Sequence, residues 1–155
     1  MALEIERKFL VKNDLWRNHV VSESRLQQGY LANQKNASVR IRTGGGKAHL
    51  NIKSTTLGIR RLEYEYEIPL ADASEMLREI AIQPFIDKTR YIVRYGAHDW
   101  ELDVFEGENQ GLIVAELELE SEDELFQLPD WAGDEVSGDI KYYNVSLIKH
   151  PFSQW

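Results

Sequence analysis

The sequence predicts a mainly β protein, one domain over residues 1–155, whose eight antiparallel strands close into a barrel with a few flanking helices. Three observations carry that expectation. Apolar and polar residues alternate with a period of two through most of the chain, as half-buried strands require. Short glycine-containing or polar turns separate successive segments, so hairpins join most neighbours. The charges within those segments are sorted by sign onto one face, an arrangement that costs stability unless opposite charge lies across from it.

The strands are expected at 2–11 (ALEIERKFLV), 25–32 (RLQQGYLA), 37–43 (ASVRIRT), 47–54 (KAHLNIKS), 58–68 (GIRRLEYEYEI), 85–95 (FIDKTRYIVRY), 99–106 (DWELDVFE) and 111–121 (GLIVAELELES). Gly44, Gly45 and Gly46 supply the turn between the third and fourth, and Gly96-Ala97-His98 a tight link between the sixth and seventh. A helix is expected at 72–82. Asp72 would cap it with Glu75 three residues on, Met76, Leu77 and Ile80 form its apolar face, and Pro84 lies just beyond. Shorter helices are expected at 122–127 and 143–150, with a loop over 128–140.

Composition narrows the function classes. The chain has 155 residues, no cysteine and a net charge of -8. Without cysteine there is no disulfide frame, thiolate metal site or cysteine nucleophile, which fits a cytoplasmic protein. No apolar stretch is long enough for a membrane helix, and the start MALEIERKFLV is too charged for a secretory signal. An acidic chain is also a poor nucleic-acid ligand. The charge is uneven: residues 1–100 hold 16 basic and 12 acidic residues, whereas 101–155 hold 2 basic and 14 acidic. The acidic part alternates with Leu, Val, Phe and Trp, so it reads as strands rather than as a disordered tail.

Residues two apart share a face of a strand. Seven charged rows follow that rule: Glu4, Glu6 and Lys8; Arg40 and Arg42; Asn51 and Lys53; Glu63, Glu65 and Glu67; Lys88 and Arg90; Glu101 and Asp103; and Glu116, Glu118 and Glu120. Any one row is the ordinary solvated face of an antiparallel strand. Together they are nearly pure carboxylate or nearly pure cation, which surface faces seldom are. Turned inward, they give a lumen with Lys8, Arg40, Arg42, Lys53, Lys88 and Arg90 beside Glu4, Glu6, Glu63, Glu65, Asp103, Glu116 and Glu118. Unpaired charges cannot be buried dry, so this interior must be wet or hold a charged ligand. Six cations suit a polyanion, and clustered carboxylates suit a hard cation such as Mg2+ or Mn2+. The combination points to a metal–phosphate complex and phosphoryl transfer.

The ordered blocks Glu4-Ile-Glu6-Arg-Lys8, Val39-Arg40-Ile41-Arg42, Lys53, Glu63/Glu65, Lys88-x-Arg90, Asp103 and Glu116-Leu-Glu118, with the closing Tyr142-Tyr143-Asn144, resemble the CYTH superfamily of triphosphate tunnel metalloenzymes over nearly the whole chain. The length resembles its compact bacterial members. The resemblance implies an eight-stranded tunnel that binds inorganic tripolyphosphate or another triphosphate and cleaves its terminal phosphate with Mg2+ or Mn2+. It implies Lys8, Arg40, Arg42, Lys53, Lys88 and Arg90 as phosphate ligands and Glu4, Glu6, Glu116 and Glu118 as metal ligands. Glu4, Glu6 and Lys8 form the catalytic motif, with Glu63, Glu65 and Asp103 as supporting acids. Nucleoside or thiamine triphosphate hydrolysis, class IV adenylyl cyclisation and noncatalytic polyphosphate binding remain alternatives.

The other signals are weaker. His19, His49, His98 and His150 have no metal-ligand spacing, although His49 shares the face of Asn51 and Lys53. The glycine triplet precedes a strand rather than a helix and so is no phosphate loop. Tyr64, Tyr66, Trp100 and Phe105 are expected outside the tunnel, under helices or at a subunit contact. Apolar outer faces need cover, from which a homodimer is expected.

Overall fold

The computed structural model describes residues 3–55 and 58–155; Ala2, included in the first expected strand, lies outside the described residues. Nine strands form: β1 (Leu3–Val11), β2 (Val20–Asn33), β3 (Ala37–Gly44), β4 (Lys47–Ser54), β5 (Arg60–Ile68), β6 (Ile86–Tyr95), β7 (His98–Phe105), β8 (Ile113–Glu118) and β9 (Ala132–Glu135). Two α-helices join them, α1 (Leu70–Glu79) and α2 (Asn144–Lys149). The sheet runs β5-β4-β3-β2-β6-β7-β8-β1 and closes where β1 pairs with β5. Every pairing is antiparallel. The eight-stranded closed barrel expected from the periodicity is therefore present, with β9 as an addition.

Closure is short. Among the described residues β1 meets β5 through three residue pairs, Leu3 with Leu62, Glu4 with Arg61 and Ile5 with Arg60. Farther along β1 that edge passes to β9, with Phe9 opposite Glu135 and Val11 opposite Ala132. The other edge is held by β8 from Glu6 to Leu10. The β3–β4 hairpin turns on Gly45 and Gly46, both at positive φ (61° and 77°), a conformation strained for any residue with a Cβ.

The apolar faces are buried in three places. Outside β1, β6, β7 and β8, Ile5, Phe9, Val93, Trp100, Leu102 and Leu117 pack under Trp16 and Trp131. Trp16 comes from a 3-10 turn at Leu15–His19, and Trp131 meets Trp100 edge to face with centroids 5.4 Å apart. Outside β2, β3 and β4, Ile41 and Ala48 lie beneath Ala73 and Leu77 of α1. The helix comes so close that a Cβ on Gly29 would lie 2.8 Å from Leu77 and 2.9 Å from Ala81. The third cluster is inside the barrel: Tyr30, Ile86, Phe105, Leu112 and Val114 pack against Leu147 and Ile148 of α2 and plug part of one end. The outer face of β5 stays uncovered, with Leu62, Tyr64 and Tyr66 all exposed.

Several local expectations are corrected. β2 begins at Val20, five residues early, because its first residues still pair with β6. The helix expected at 72–82 spans 70–79 instead: Pro69 takes the N-cap position, no side chain caps it, and Asp72 lies in the first turn. No helix forms at 122–127. There Glu124 accepts the Glu120 amide at 2.6 Å and meets His98 at 2.6 Å, while Phe126 packs edge-on against Phe9 and Trp100. Anchors facing two ways hold that segment extended over the wall, so Trp100 is covered by chain rather than by a helix. The expected loop 128–140 contains β9. Phe105 faces the interior plug, not the outside, since it shares the face of Asp103.

Candidate active site

The charged rows converge on one cavity of about 390 Å³. Strand register explains why. Glu6 lies opposite Glu118 and Lys8 opposite Glu116 across β1–β8, Glu101 opposite Glu116 across β7–β8, and Arg90 opposite Asp103 across β6–β7. On the other wall Arg40 faces Asn51, and Lys53 and Asn51 face Glu63 and Glu65. Directly opposed residues point the same way, so each inward row commits its neighbour. Of the thirteen expected lumen residues, all line the cavity except Asp103, which stands behind it.

Asp103 is fully buried and organises two cations. It accepts from Lys88 Nζ at 2.8 Å, from Arg90 Nε at 2.8 Å and from Arg90 Nη2 at 2.9 Å. Arg90 also donates to Glu101 and lies 3.9 Å from Glu116. Lys88 donates to Asn144 Oδ1 at 3.2 Å, and Lys8 to the Tyr142 carbonyl at 3.2 Å. The segment leading into α2 is thus tied to the two deepest lysines. Lys53 sits 3.4 Å from both Glu4 and Glu63, and Asn51 Nδ2 donates to Glu63 and Glu65 at 3.1 and 2.8 Å.

The carboxylates are not all paired with cations. Burial first, and then a hydrogen bond with Glu63, raises Glu4 to about 7. Burial and the Glu116 charge push Glu6 well above the carboxylate range. Their partners move the other way. Burial would raise Glu63, but the Glu4 bond and Lys53 bring it to about 2, and Glu116 is held low against burial by Lys8, Arg90 and Lys88. Each pair thus resists losing both protons, because burial and the adjacent carboxylate oppose a second charge. Cations are crowded likewise: burial, then Arg40 and Arg90, lower Arg42, and burial lowers Lys88 to about 8 despite Asp103. Among the described residues Arg40 Nε and Glu4 Oε2 are buried without a hydrogen bond, although Glu4 Oε2 lies 3.4 Å from Lys53.

Among the described residues no three carboxylate or imidazole groups converge on one point at metal-ligand distance. A Mg2+-like ion does not need three, since it keeps several waters and takes one or two carboxylates plus phosphate oxygens. The proton-sharing pairs are the donor type such an ion would displace protons from. The set fits.

Depth is graded. Lys8, Arg40, Lys88 and Glu116 are buried, whereas Glu65 and Glu118 are exposed and Arg42, His49 and Glu101 are intermediate, which places the mouth at the latter group. His49 lies 3.6 Å from Glu65. The sequence reading missed Arg61, Tyr143 and Asn144 as wall residues and left Glu101 out of the lumen, although it shares the face of Asp103. Arg61 has the parity of Glu63 and was legible; Tyr143 and Asn144 follow no strand and were not.

A closed antiparallel barrel around a cavity that sorts cations against paired carboxylates defines a small class of proteins. The chain belongs to the CYTH family, whose domain profile matches residues 2–152. It is 43% identical over 155 residues to an inorganic triphosphatase of Acetivibrio thermocellus, covering 100% of this chain and 99% of that one. An inorganic triphosphatase of Nitrosomonas europaea is 36% identical over 148 residues, 93% of this chain and 95% of that one. A crystal structure of an inorganic triphosphatase superposes with a TM-score of 0.69 at 35% identity, covering 94% of this chain and 97% of the other. A Pyrococcus horikoshii protein shares the fold at 19% identity, with a TM-score of 0.61 over 77% of this chain and 80% of that one.

Proposed function

We propose that this protein is a divalent-metal-dependent hydrolase that cleaves the terminal phosphate of inorganic tripolyphosphate within the barrel. One observation carries it: a single cavity holds a crowded set of lysine and arginine side chains facing buried carboxyl pairs, Glu4 with Glu63 and Glu6 with Glu116, in which burial and the neighbouring carboxylate oppose full ionisation. A metal–triphosphate complex supplies both missing charges. The full-length likeness to two inorganic triphosphatases supports the same substrate.

Lys8, Arg40, Arg42, Lys53, Lys88 and Arg90 would bind phosphate oxygens, the arginines by two-donor forks and the lysines as point charges. Glu4, Glu6, Glu116 and Glu118 would hold Mg2+ or Mn2+, directly or through water. Bound there, the ion would spread positive charge over the phosphoryl oxygens and acidify water. Asp103 fixes the heads of Lys88 and Arg90, and Asn51 fixes Glu63 and Glu65. A water oxygen forms a bond to the terminal phosphorus as the bridging P–O bond breaks, giving phosphate and pyrophosphate. The phosphates that do not react are gripped alongside, so their binding energy orients the one that does.

The mouth favours an inorganic chain over a nucleotide or thiamine ester. Arg42, His49, Glu65, Glu101 and Glu118 surround it, while of the wall aromatics Tyr30 belongs to the plug and Tyr143 lies beside the deep Lys8 and Arg61, with no stacking platform at the mouth among the described residues. Phosphate release from tripolyphosphate, ATP, thiamine triphosphate and pyrophosphate, with Mg2+ or Mn2+ and with excess EDTA, tests this. Tripolyphosphate turns over far faster than pyrophosphate and EDTA abolishes it; equal rates, or full activity in chelator, reject the proposal. A cytoplasmic location accords with the cysteine-free sequence. A homodimer is proposed through the bare Leu62, Tyr64 and Tyr66 face, to be checked by sedimentation of Tyr64→Glu.

A further inference from the structure

The structure assigns Arg61 as a further substrate-binding residue, a two-donor clamp on the phosphate that lies nearest Glu4 and Glu6, held in place by the ring of Tyr143. The assignment rests on the triphosphatase activity proposed above and extends it to a residue outside the expected set. Arg61 sits two positions before Glu63 on the inward face of β5, lies opposite Glu4 across the β1–β5 closure and lines the cavity.

Its surroundings differ from those of most cavity cations. Lys8, Arg42, Lys53, Lys88 and Arg90 each have a carboxylate within 4.0 Å. Among the described residues Arg40 and Arg61 are the two cavity guanidinium groups without one. The other arginines stand on β3 and β6, where Arg90 is bound to Asp103 and Glu101 and Arg42 lies near Glu65. Arg61 stands among acids, and although burial opposes its charge, Glu6, Glu4 and Glu116 raise its pKa. On the carboxylate side of the barrel, formed by β8, β1 and β5, it and Lys8 are the cations that line the cavity. A triphosphate held from β3, β4 and β6 alone would turn its other oxygens toward glutamates, and Arg61 supplies donors where that repulsion is greatest.

The support beneath it is rigid. The Arg61 guanidinium carbon lies 5.5 Å from the Tyr143 ring centroid, and Lys8 Nζ lies 5.4 Å from the same ring. The Tyr143 hydroxyl donates to the Ser137 carbonyl at 2.9 Å and accepts from the Gly58 amide at 3.3 Å. A ring flanked by two cations and tied at its tip limits where an arginine head can go, while leaving its N–H edge free for a ligand. Tyr143 is accordingly a positioning residue.

The test compares Arg61→Gln, Arg61→Lys and Tyr143→Leu with Arg60→Gln. Arg60 points outward to Glu122 and serves as the control. Arg61→Gln is expected to lose roughly 100-fold to 1000-fold in kcat/KM on tripolyphosphate, the scale of one lost transition-state donor. Arg61→Lys recovers part of this, Tyr143→Leu chiefly raises KM, and Arg60→Gln matches the wild type. A second readout is binding: the rise in thermal midpoint that tripolyphosphate gives in EDTA shrinks in Arg61→Gln. If Arg61→Gln keeps wild-type kcat/KM and thermal shift, or loses activity only in proportion to its folded fraction, Arg61 is a structural counter-ion and the assignment falls. A wild-type protein that shows the shift but releases no phosphate overturns the activity and leaves the binding role standing.

Discussion

Arg40 and Arg90 look equivalent in sequence, each the partner of a second cation two residues away, yet the structure separates them. Arg90 is built into the Asp103, Glu101 and Glu116 network, whereas Arg40 has no carboxylate within 4.0 Å among the described residues. Arg40→Ala should therefore lose about 2 to 4 kcal/mol of transition-state stabilisation while the thermal midpoint holds. Arg90→Ala should also cost about 3 to 5 kcal/mol of folding stability, since it strips a buried carboxylate of its main partner. Paired kinetics and urea melts check this, and an unchanged midpoint in Arg90→Ala would contradict it. The parity of charges along each strand made twelve cavity residues legible in the sequence. Which cation is free and which is locked depends on register, with Arg90 opposite Asp103 and Arg40 opposite Asn51, and parity alone does not give that.

At the level of elements, alternation located the barrel strands because each has one apolar and one charged face. It missed β9 in AGDE, which offers no apolar run and pairs only because β5 leaves the edge of β1. The false helix at 122–127 arose from helix-forming residues whose side chains are claimed by the barrel wall, a tertiary override of local propensity. The packing of α1 is more specific than its sequence suggests. Gly29→Ala puts a methyl into Leu77 and Ala81, and should cost about 1 to 3 kcal/mol as the helix is pushed off the wall. Activity should fall less than stability, because α1 covers the outer face. A neutral urea melt would show that α1 can shift freely.

The whole molecule carries a charge problem that metal solves. In the folded, metal-free protein Glu4 titrates at about 7 against 4.5 as its usual value, and Glu6 is raised further. A carboxyl raised on folding contributes stability that is complete below its unfolded value and lost as pH rises through the folded one. In EDTA the thermal midpoint should thus fall as pH rises from about 4.5 to about 7, and saturating Mg2+ or Mn2+ should remove that fall. A flat midpoint in EDTA would mean that the pairs share no proton. Glu6→Gln should likewise leave the metal-free fold intact, since an amide can stand in for the protonated carboxyl beside Glu116 and cannot ionise, while abolishing turnover.

The three-pair join between β1 and β5 gives the barrel a fastener. Among the described residues it holds fewer pairs than the eight joining β2 to β6, and it lies between the first strand and the fifth, where chain connectivity does little to hold it. Local opening should begin there, so the amide of Glu6, which donates to the Ile59 carbonyl, should exchange with deuterium sooner than those along β2 and β6. Glu4 and Arg61 face each other across this join, and a metal–triphosphate complex touching both would bind only the closed state. Ligand should therefore slow exchange at the fastener before anywhere else, making the weakest line of the barrel the most direct reporter of occupancy.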